Sequence, residues 1–199
     1  MPHGGEILDP FAGGSVRGIV AHKLGYKYTG IELRQEQVES NIEQAKEILP
    51  PDNQPTWICG DSDKVLDELS FTPDFIFSCP PYYNLEIYSQ EEDDLSNMSY
   101  PDFIEKYQSI IKKAYTKLDS GGFAVFVVGE VRDDYGYYID FVGDTKRCFM
   151  DKMLVGAKLY NEMVLLDPIG TAMIRASGFD KNKKVVKIHQ NILCFKKPL

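Results

Sequence analysis

Short apolar runs alternate with segments of helical periodicity along most of this 199-residue chain. The run Glu6–Asp9 stops at a proline, and the residues after it repeat at helical spacing as far as Gly25. Alternation of this kind predicts a doubly wound α/β sheet with right-handed crossovers. No helical pattern separates the last two runs, Asn161–Leu166 and Asn191–Phe195, so we expect these two strands to be antiparallel.

The ends of the other elements follow from proline, glycine and capping residues. Pro50 and Pro51 end the second helix, and Ser99 fits a capping residue that opens a long helix. The run Phe123–Val128 is apolar on both faces, as in a buried central strand. The remaining expected strands are Tyr28–Leu33, Thr56–Cys59 and Asp74–Cys79, and the expected helices are Val16–Leu24, Val38–Leu49, Lys64–Leu69, Phe103–Leu118 and Thr145–Ala157.

Composition and length indicate one globular domain over residues 1–199. Apolar residues make up 43% of the chain and charged residues 26%, which excludes disordered and collagen-like classes. No apolar run approaches the roughly 20 residues that span a bilayer, and the start lacks the pattern of a signal peptide. The four cysteines lack the paired spacing of a zinc site or a disulfide framework. We therefore expect a cytoplasmic protein with no metal and no membrane partner.

Charge is divided unevenly along the chain. Residues 1–145 hold 11 basic and 26 acidic residues, a net charge of −15, whereas residues 146–199 hold 11 basic and 4 acidic residues, a net charge of +7. Such asymmetry favours a basic face that meets an anion, although chance alone also produces uneven charge.

A glycine-rich turn follows the first expected strand, at Asp9–Ser15. Glycine lets the backbone approach a ligand closely, and the start of a helix offers unpaired N–H groups. The spacing matches neither the dinucleotide fingerprint nor the phosphate loop. The Asp9 carboxylate suits a ligand with an amine or hydroxyl groups, and a purely structural turn is the alternative.

Acidic residues also end the next two strands. Glu32 follows Asp9 by 23 residues, where a carboxylate can bind both ribose hydroxyls of a nucleoside. Asp61 follows the third strand and could accept a hydrogen bond from an adenine amino group, or could instead cap a helix. Three acids at one sheet edge indicate a cationic nucleoside without phosphates, and S-adenosylmethionine fits that description.

The fourth strand runs into a proline-rich turn, Ser78–Tyr83. Two prolines stiffen the turn and remove N–H donors, so carbonyl groups face outward. The Pro80 carbonyl and a polar atom at Cys79 could accept both protons of an exocyclic amine, while Tyr82 could stack on the base. The alternative is a strand end with aromatic packing. Alternation along the strand predicts that Ser78 points to the opposite face.

The chain carries, in this order, the motifs DPFAGGS, the acid Glu32 for the ribose, GDS and CPPY. This set resembles the motifs of an S-adenosylmethionine-dependent amino-group DNA methyltransferase of the N6-adenine/N4-cytosine type. GFAVFVVGEVRD with KIHQNILCF is similar to small phage and prophage DNA methylases, a group associated with restriction–modification. The resemblance implies a Rossmann-like methyltransferase sheet. It also implies that cofactor contacts come from Asp9, Phe11, Ala12, Gly13, Glu32, Asp61 and Ser62, and contacts with a flipped base from Cys79, Pro80, Pro81, Tyr82 and Tyr83.

Three features depart from that family. Ser15 replaces a family glycine, and Cys79 stands where Asp, Asn or Ser is usual, although a thiol is a weak acceptor. The family's cofactor-clamping and target-recognition segments are also missing from the expected elements. We therefore expect either a fragment of a longer protein or a minimal enzyme that relies on loops.

Two loops are candidates for that role. Residues 84–98 are acidic and suit a lid. The segment 167–190 is the candidate DNA-facing surface, and a solvated surface loop is the alternative. Its basic residues are Arg175, Lys181, Lys183, Lys184 and Lys187. Arg132 and Asp133 are further substrate-side candidates. The alternatives to a DNA substrate are an RNA base, a protein glutamine, or a non-catalytic protein that only binds DNA or cofactor.

Overall fold

The computed structural model describes residues 4–52, 54–83, 95–153, 155–166, 183 and 185–199. Its strands are β1 (Glu6–Asp9), β2 (Lys27–Glu32), β3 (Thr56–Cys59), β4 (Phe75–Ser78), β5 (Phe123–Val128), β6 (Lys158–Leu166) and β7 (His189–Lys196). Its helices are α1 (Val16–Lys23), α2 (Gln35–Ile48), α3 (Ser62–Glu68), α4 (Tyr100–Lys117) and α5 (Phe141–Met150).

The strands form one seven-stranded sheet in the order β3-β2-β1-β4-β5-β7-β6. Strands β1 to β5 pair in parallel, and β7 lies antiparallel between β5 and β6. The predicted α/β architecture and the antiparallel final strands are therefore confirmed. The strand order reverses between β1 and β4, and such a switch point opens a crevice beyond the carboxyl ends of the strands.

The last helix differs from the expected Thr145–Ala157. Helix α5 begins four residues earlier, at Phe141, and ends at Met150. Its first N–H groups, those of Phe141 and Val142, donate to the Glu130 carboxylate at 3.1 and 3.3 Å. A carboxylate at a helix N-terminus stabilises the unpaired N–H groups. Because Glu130 lies outside the helix, a search for a local capping residue does not find this start.

Hydrophobic clusters cover both faces of the sheet. One cluster joins α1 and α2 to the sheet through residues such as Ala21, Tyr28 and Trp57. The larger cluster is rich in aromatic rings from α4, α5 and β7. There the Phe149 and Phe195 rings stack with centroids 4.0 Å apart. These layers hold the parallel strands from both sides and fix the edge at which their carboxyl ends meet.

No helix in the described part of the chain combines the length and apolar character needed to cross a membrane.

Replacing Phe103 by Ala tests this core. The Phe103 ring is fully buried and stacks on Tyr107 with centroids 5.7 Å apart. We expect the F103A variant to lose about 3–5 kcal/mol of unfolding free energy in urea, because a cavity replaces the ring. The matched control is Tyr135→Ala, since the Tyr135 side chain is 86% exposed and its loss should change stability by less than about 0.5 kcal/mol. Equal effects of the two substitutions would contradict the described core.

Candidate functional site

A cavity of about 600 Å³ opens at the carboxyl ends of the parallel strands. Loops after β1, β2, β3 and β4 line it, and β7 contributes one side chain, Gln190. Of the residues predicted from the sequence, the structure brings to this cavity Phe11, Gly13, Glu32, Asp61, Ser62, Cys79, Pro80, Pro81 and Tyr82. The volume lies within the range of small-molecule sites.

Asp9 lies at the end of β1 but not at the cavity surface, because its side chain is fully buried. One carboxylate oxygen accepts from Arg17 Nε at 2.6 Å and from the Tyr28 hydroxyl at 2.8 Å. The other accepts from the Ser78 hydroxyl at 2.6 Å and from the Phe11 amide at 3.1 Å. These four donors occupy the carboxylate, so Asp9 organises the residues beneath the cavity rather than facing a ligand.

Arg17 compensates the buried charge of Asp9. Its Nη2 also donates to the carbonyl groups of Phe11 and Ala12, at 2.6 and 2.7 Å, and so holds the glycine-rich turn. Burial by itself would lower the pKa of Arg17, but the neighbouring Asp9 carboxylate outweighs that effect and raises the pKa above its ordinary value. Burial has the opposite effect on a phenol, and it raises the pKa of Tyr28 well above its ordinary value. Arg17 is therefore cationic and Tyr28 neutral at physiological pH.

The turn after β1 meets the acid at the end of β2. Gly13 has a φ of +53°, which glycine adopts without strain, and its N–H donates to Glu32 Oε2 at 3.0 Å. The other Glu32 oxygen accepts from the Arg34 amide at 3.0 Å. Ala12 is buried and bonds through its amide to the Ile31 carbonyl, so it positions the turn without lining the cavity. The Glu32 carboxylate is thereby fixed at the cavity wall.

The third acid, Asp61, is a helix cap, which was the alternative interpretation of this residue. Its Oδ1 accepts from the Asp63 amide at 3.0 Å, at the start of α3. Its Oδ2 lies 3.1 Å from Lys106 Nζ. The neighbouring Ser62 hydroxyl donates to the Pro10 carbonyl and ties this wall to the first turn. Asp61 thus lines the cavity while serving as a cap.

The proline-rich turn after β4 also lines the cavity, through Cys79–Tyr82. Tyr82 lies with its hydroxyl 3.5 Å from Cys79 Sγ. The same hydroxyl donates to the Val127 carbonyl at 3.3 Å and accepts from Gln190 Nε2 at 2.7 Å. The Tyr82 ring is thus held in place beside Cys79. Ser78 is fully buried and does not line the cavity; its hydroxyl donates to Asp9 instead.

Tyr83 does not line the cavity. Its ring packs against Tyr100 and Phe103, with centroids 5.1 and 5.6 Å apart, so the structure gives it a packing role. Arg132 and Asp133 serve a local hairpin: Arg132 donates to the Gly136 carbonyl at 2.6 Å, and Asp133 accepts from the Tyr137 amide at 2.8 Å.

The predicted basic surface is described only in part. Lys183 is exposed and Lys187 is half-buried. Burial lowers the pKa of Lys187, and this effect exceeds the opposing attraction of Glu130. Arg175, Lys181 and Lys184 lie outside the described residues, as do residues 84–94 of the proposed lid; Leu95, which follows them, lines the cavity.

Sequence reasoning missed five polar residues that line the cavity: Arg17, Arg34, Gln37, Lys106 and Gln190. Arg17 falls in the first turn of a helix, where a cation is unexpected because the helix dipole favours acids there. That anomaly was a usable signal. Gln190 carried no signal, since a polar residue beside a strand is ordinary and its partner is 108 positions away.

The sequence of this chain resembles that of a known protein over part of its length. No model of a known protein family matches the chain. The uncharacterised protein L179 of Acanthamoeba polyphaga mimivirus is 28% identical over 129 residues, which are 61% of this chain and 35% of that protein. The chain therefore spans about a third of the length of this relative.

Solved structures of methyltransferases superimpose on nearly the whole chain. A methyltransferase from Methanosarcina mazei has a TM-score of 0.61 at 17% identity and covers 100% of this chain and 95% of its own. Magnesium protoporphyrin IX methyltransferase from Synechocystis PCC 6803, solved with S-adenosylmethionine, has a TM-score of 0.58 at 14% identity, covering 98% and 71%. The precorrin-6y C5,15-methyltransferase of Geobacter metallireducens has a TM-score of 0.60 at 15% identity, covering 99% and 82%. The chain has the Rossmann-like methyltransferase fold.

Removing the Asp9 carboxylate should destabilise the protein strongly. Asp9→Ala leaves the Arg17 guanidinium without its buried partner, and breaking one side of such a pair costs about 3–5 kcal/mol. Urea denaturation measures this loss. Asp134→Ala removes an exposed carboxylate and should change stability by less than about 0.5 kcal/mol. Stability of D9A equal to that of D134A would show that the Asp9 network is dispensable.

Proposed function

We propose that the protein is an S-adenosylmethionine-dependent methyltransferase that modifies the exocyclic amine of an adenine or a cytosine in DNA. One observation carries the proposal: a single cavity joins Gly13, Glu32 and Asp61 to the turn Cys79–Tyr82. A nucleoside site and an amine-binding turn must share one space if a methyl group is to pass between them. The methyltransferase fold supports the assignment.

The residues of the cavity suit the cofactor. The Glu32 carboxylate, fixed by Gly13 and Arg34, can accept hydrogen bonds from both ribose hydroxyls. Asp61 lines the same cavity, and its carboxylate can accept a hydrogen bond from the adenine amine. Phe11 adds an apolar surface. When bound, S-adenosylmethionine supplies an electrophilic methyl group.

The turn after β4 suits an amine that receives the methyl group. The Pro80 carbonyl can accept from one amine proton, which orients the nitrogen lone pair across the cavity. The turn Cys79–Tyr82 would hold this amine so that its nitrogen could accept the methyl group that the cofactor would supply, with the displaced amine proton passing to water. Tyr82, held by Val127 and Gln190, offers a ring face on which a flipped base can stack.

DNA is the proposed partner because the charge asymmetry and the family resemblance point to it. The net charge of +7 over residues 146–199 provides the attraction that the acidic remainder cannot. Lys183 and Lys187, with Arg175, Lys181 and Lys184, are the proposed phosphate contacts.

A transfer assay tests this function directly. The protein is incubated with S-adenosylmethionine labelled at the methyl group and, separately, with duplex DNA, RNA or protein extract. We expect label in DNA, and mass spectrometry of the nucleosides should find N6-methyladenine or N4-methylcytosine. Label only in RNA or in protein would overturn the DNA assignment, and the absence of label in all three would favour a non-catalytic binding protein.

Cofactor binding should raise the melting temperature. At about 100 times the dissociation constant, linkage adds roughly 2.7 kcal/mol, which corresponds to about 5–10 °C in a domain of this size. Glu32→Gln should reduce the shift, since it weakens the grip on the ribose hydroxyls. Glu36→Gln, on the exposed face of α2, is the control and should keep the full shift. The two variants behaving alike would contradict the role of Glu32.

Substitutions in the turn should separate base binding from cofactor binding. Tyr82→Ala should weaken base binding by about 1–3 kcal/mol through lost stacking, whereas Tyr82→Phe should keep most of it. Both should bind cofactor as the parent does, measured by calorimetry. Cys79→Ser should retain or improve transfer, because a hydroxyl accepts hydrogen bonds better than a thiol. A folded but inactive C79S protein would point to thiol chemistry instead.

A further inference from the structure

We propose that Arg17 binds the α-carboxylate of the methionine part of the cofactor. This inference rests on the proposed function and deepens it. It reverses the electrostatic sign expected from the sequence, in which the Asp9 carboxylate meets the cofactor's amine.

The burial of Asp9 keeps its carboxylate from a ligand in the cavity. Its carboxylate is fully buried, and four donors already occupy its two oxygens. An ammonium group in the cavity would have to displace Arg17 to reach it. At this end of the cavity the charged group at the surface is instead the guanidinium of Arg17, whose side chain is 24% exposed.

Arg17 has more N–H donors than its partners within the protein use. A guanidinium has five N–H groups. Nε donates to Asp9, and Nη2 donates to the carbonyls of Phe11 and Ala12. These three bonds leave at least one N–H of the guanidinium for a further acceptor, even with the Tyr28 hydroxyl beside it, and the Arg17 side chain lines the cavity.

Arg17 differs from the other cations of the cavity wall in where its acidic partner lies. Among the described residues these are Arg34 and Lys106. Arg34 pairs with Glu32, and Lys106 pairs with Asp61, so each has an acidic partner within the wall itself. The acidic partner of Arg17 lies beneath the wall instead. Arg17 is therefore the cation best placed to receive an anion from the ligand.

Arg17 lines the same cavity as Glu32 and the turn Cys79–Tyr82. With the ribose at Glu32 and the methyl group directed at that turn, the amino-acid chain beyond the sulfur also lies in this cavity. Its carboxylate can then meet the Arg17 guanidinium.

Ligands that differ only in the carboxylate provide the test. Calorimetry on the full chain measures the dissociation constants of S-adenosylmethionine and of decarboxylated S-adenosylmethionine, which keeps the amine and the sulfonium. We expect the parent protein to prefer the carboxylated ligand by about 10- to 100-fold, the range for a hydrogen bond between charged groups. Arg17→Gln should reduce this preference to less than about 3-fold, mostly by weakening S-adenosylmethionine binding.

Two further variants distinguish loss of the carboxylate contact from misfolding. Arg17→Gln leaves Asp9 buried without a cation, so the double variant Asp9→Asn/Arg17→Gln removes both charges together. Asp9→Asn alone keeps the guanidinium and should keep the preference, whereas the double variant should lose it. If Asp9 held the amine instead, Asp9→Asn would weaken both ligands equally.

The outcomes are distinct. A parent protein that binds neither ligand overturns the proposed function and this inference with it. A parent that binds both ligands equally well, or Arg17 variants that keep the preference, overturn only the carboxylate assignment. Arg17 variants that lose both ligands to the same extent show that Arg17 merely holds the glycine-rich turn.

Discussion

The buried pair of Asp9 and Arg17 is the interaction on which the candidate site depends. Taking two charges out of water is costly, and such a pair is retained only where further hydrogen bonds satisfy it. Here Tyr28 from β2, Ser78 from β4 and the Phe11 amide supply those bonds. The pair therefore joins three neighbouring strands and the first helix at the switch point of the sheet. The geometry of the turns above it follows from this anchor.

Polar contacts within the protein also fix the turns that form the walls of the cavity. Each turn after a strand is fixed by a polar contact with another turn: Gly13 with Glu32, and Ser62 with Pro10. Tyr82 is fixed by Gln190 on β7, a strand of the same sheet. Because these contacts are made within the protein, the polar groups are oriented before any ligand arrives. Such preorganisation lowers the cost of binding and of reaction.

Much of this arrangement could be predicted from the sequence, because it depends on local patterns. The alternation of apolar runs and helical periodicity predicted the sheet. The position of acidic residues at the ends of strands predicted that Glu32 and Asp61 lie at one edge of it. What could not be predicted depends on distant partners. Asp9 has the sequence position of a ligand-binding acid, yet Tyr28 and Ser78 converge on it only in the fold. The start of α5 likewise depends on Glu130, and Tyr82 on Gln190.

The most direct test of the proposed site is a crystal structure of the full chain with S-adenosylhomocysteine. We expect the ribose hydroxyls to lie within hydrogen-bond distance of the Glu32 carboxylate and the sulfur to point toward the turn Cys79–Tyr82. We also expect the Asp9–Arg17 pair to be unchanged by the ligand. A ligand bound outside this cavity, or one whose sulfur points away from that turn, would contradict the proposed site.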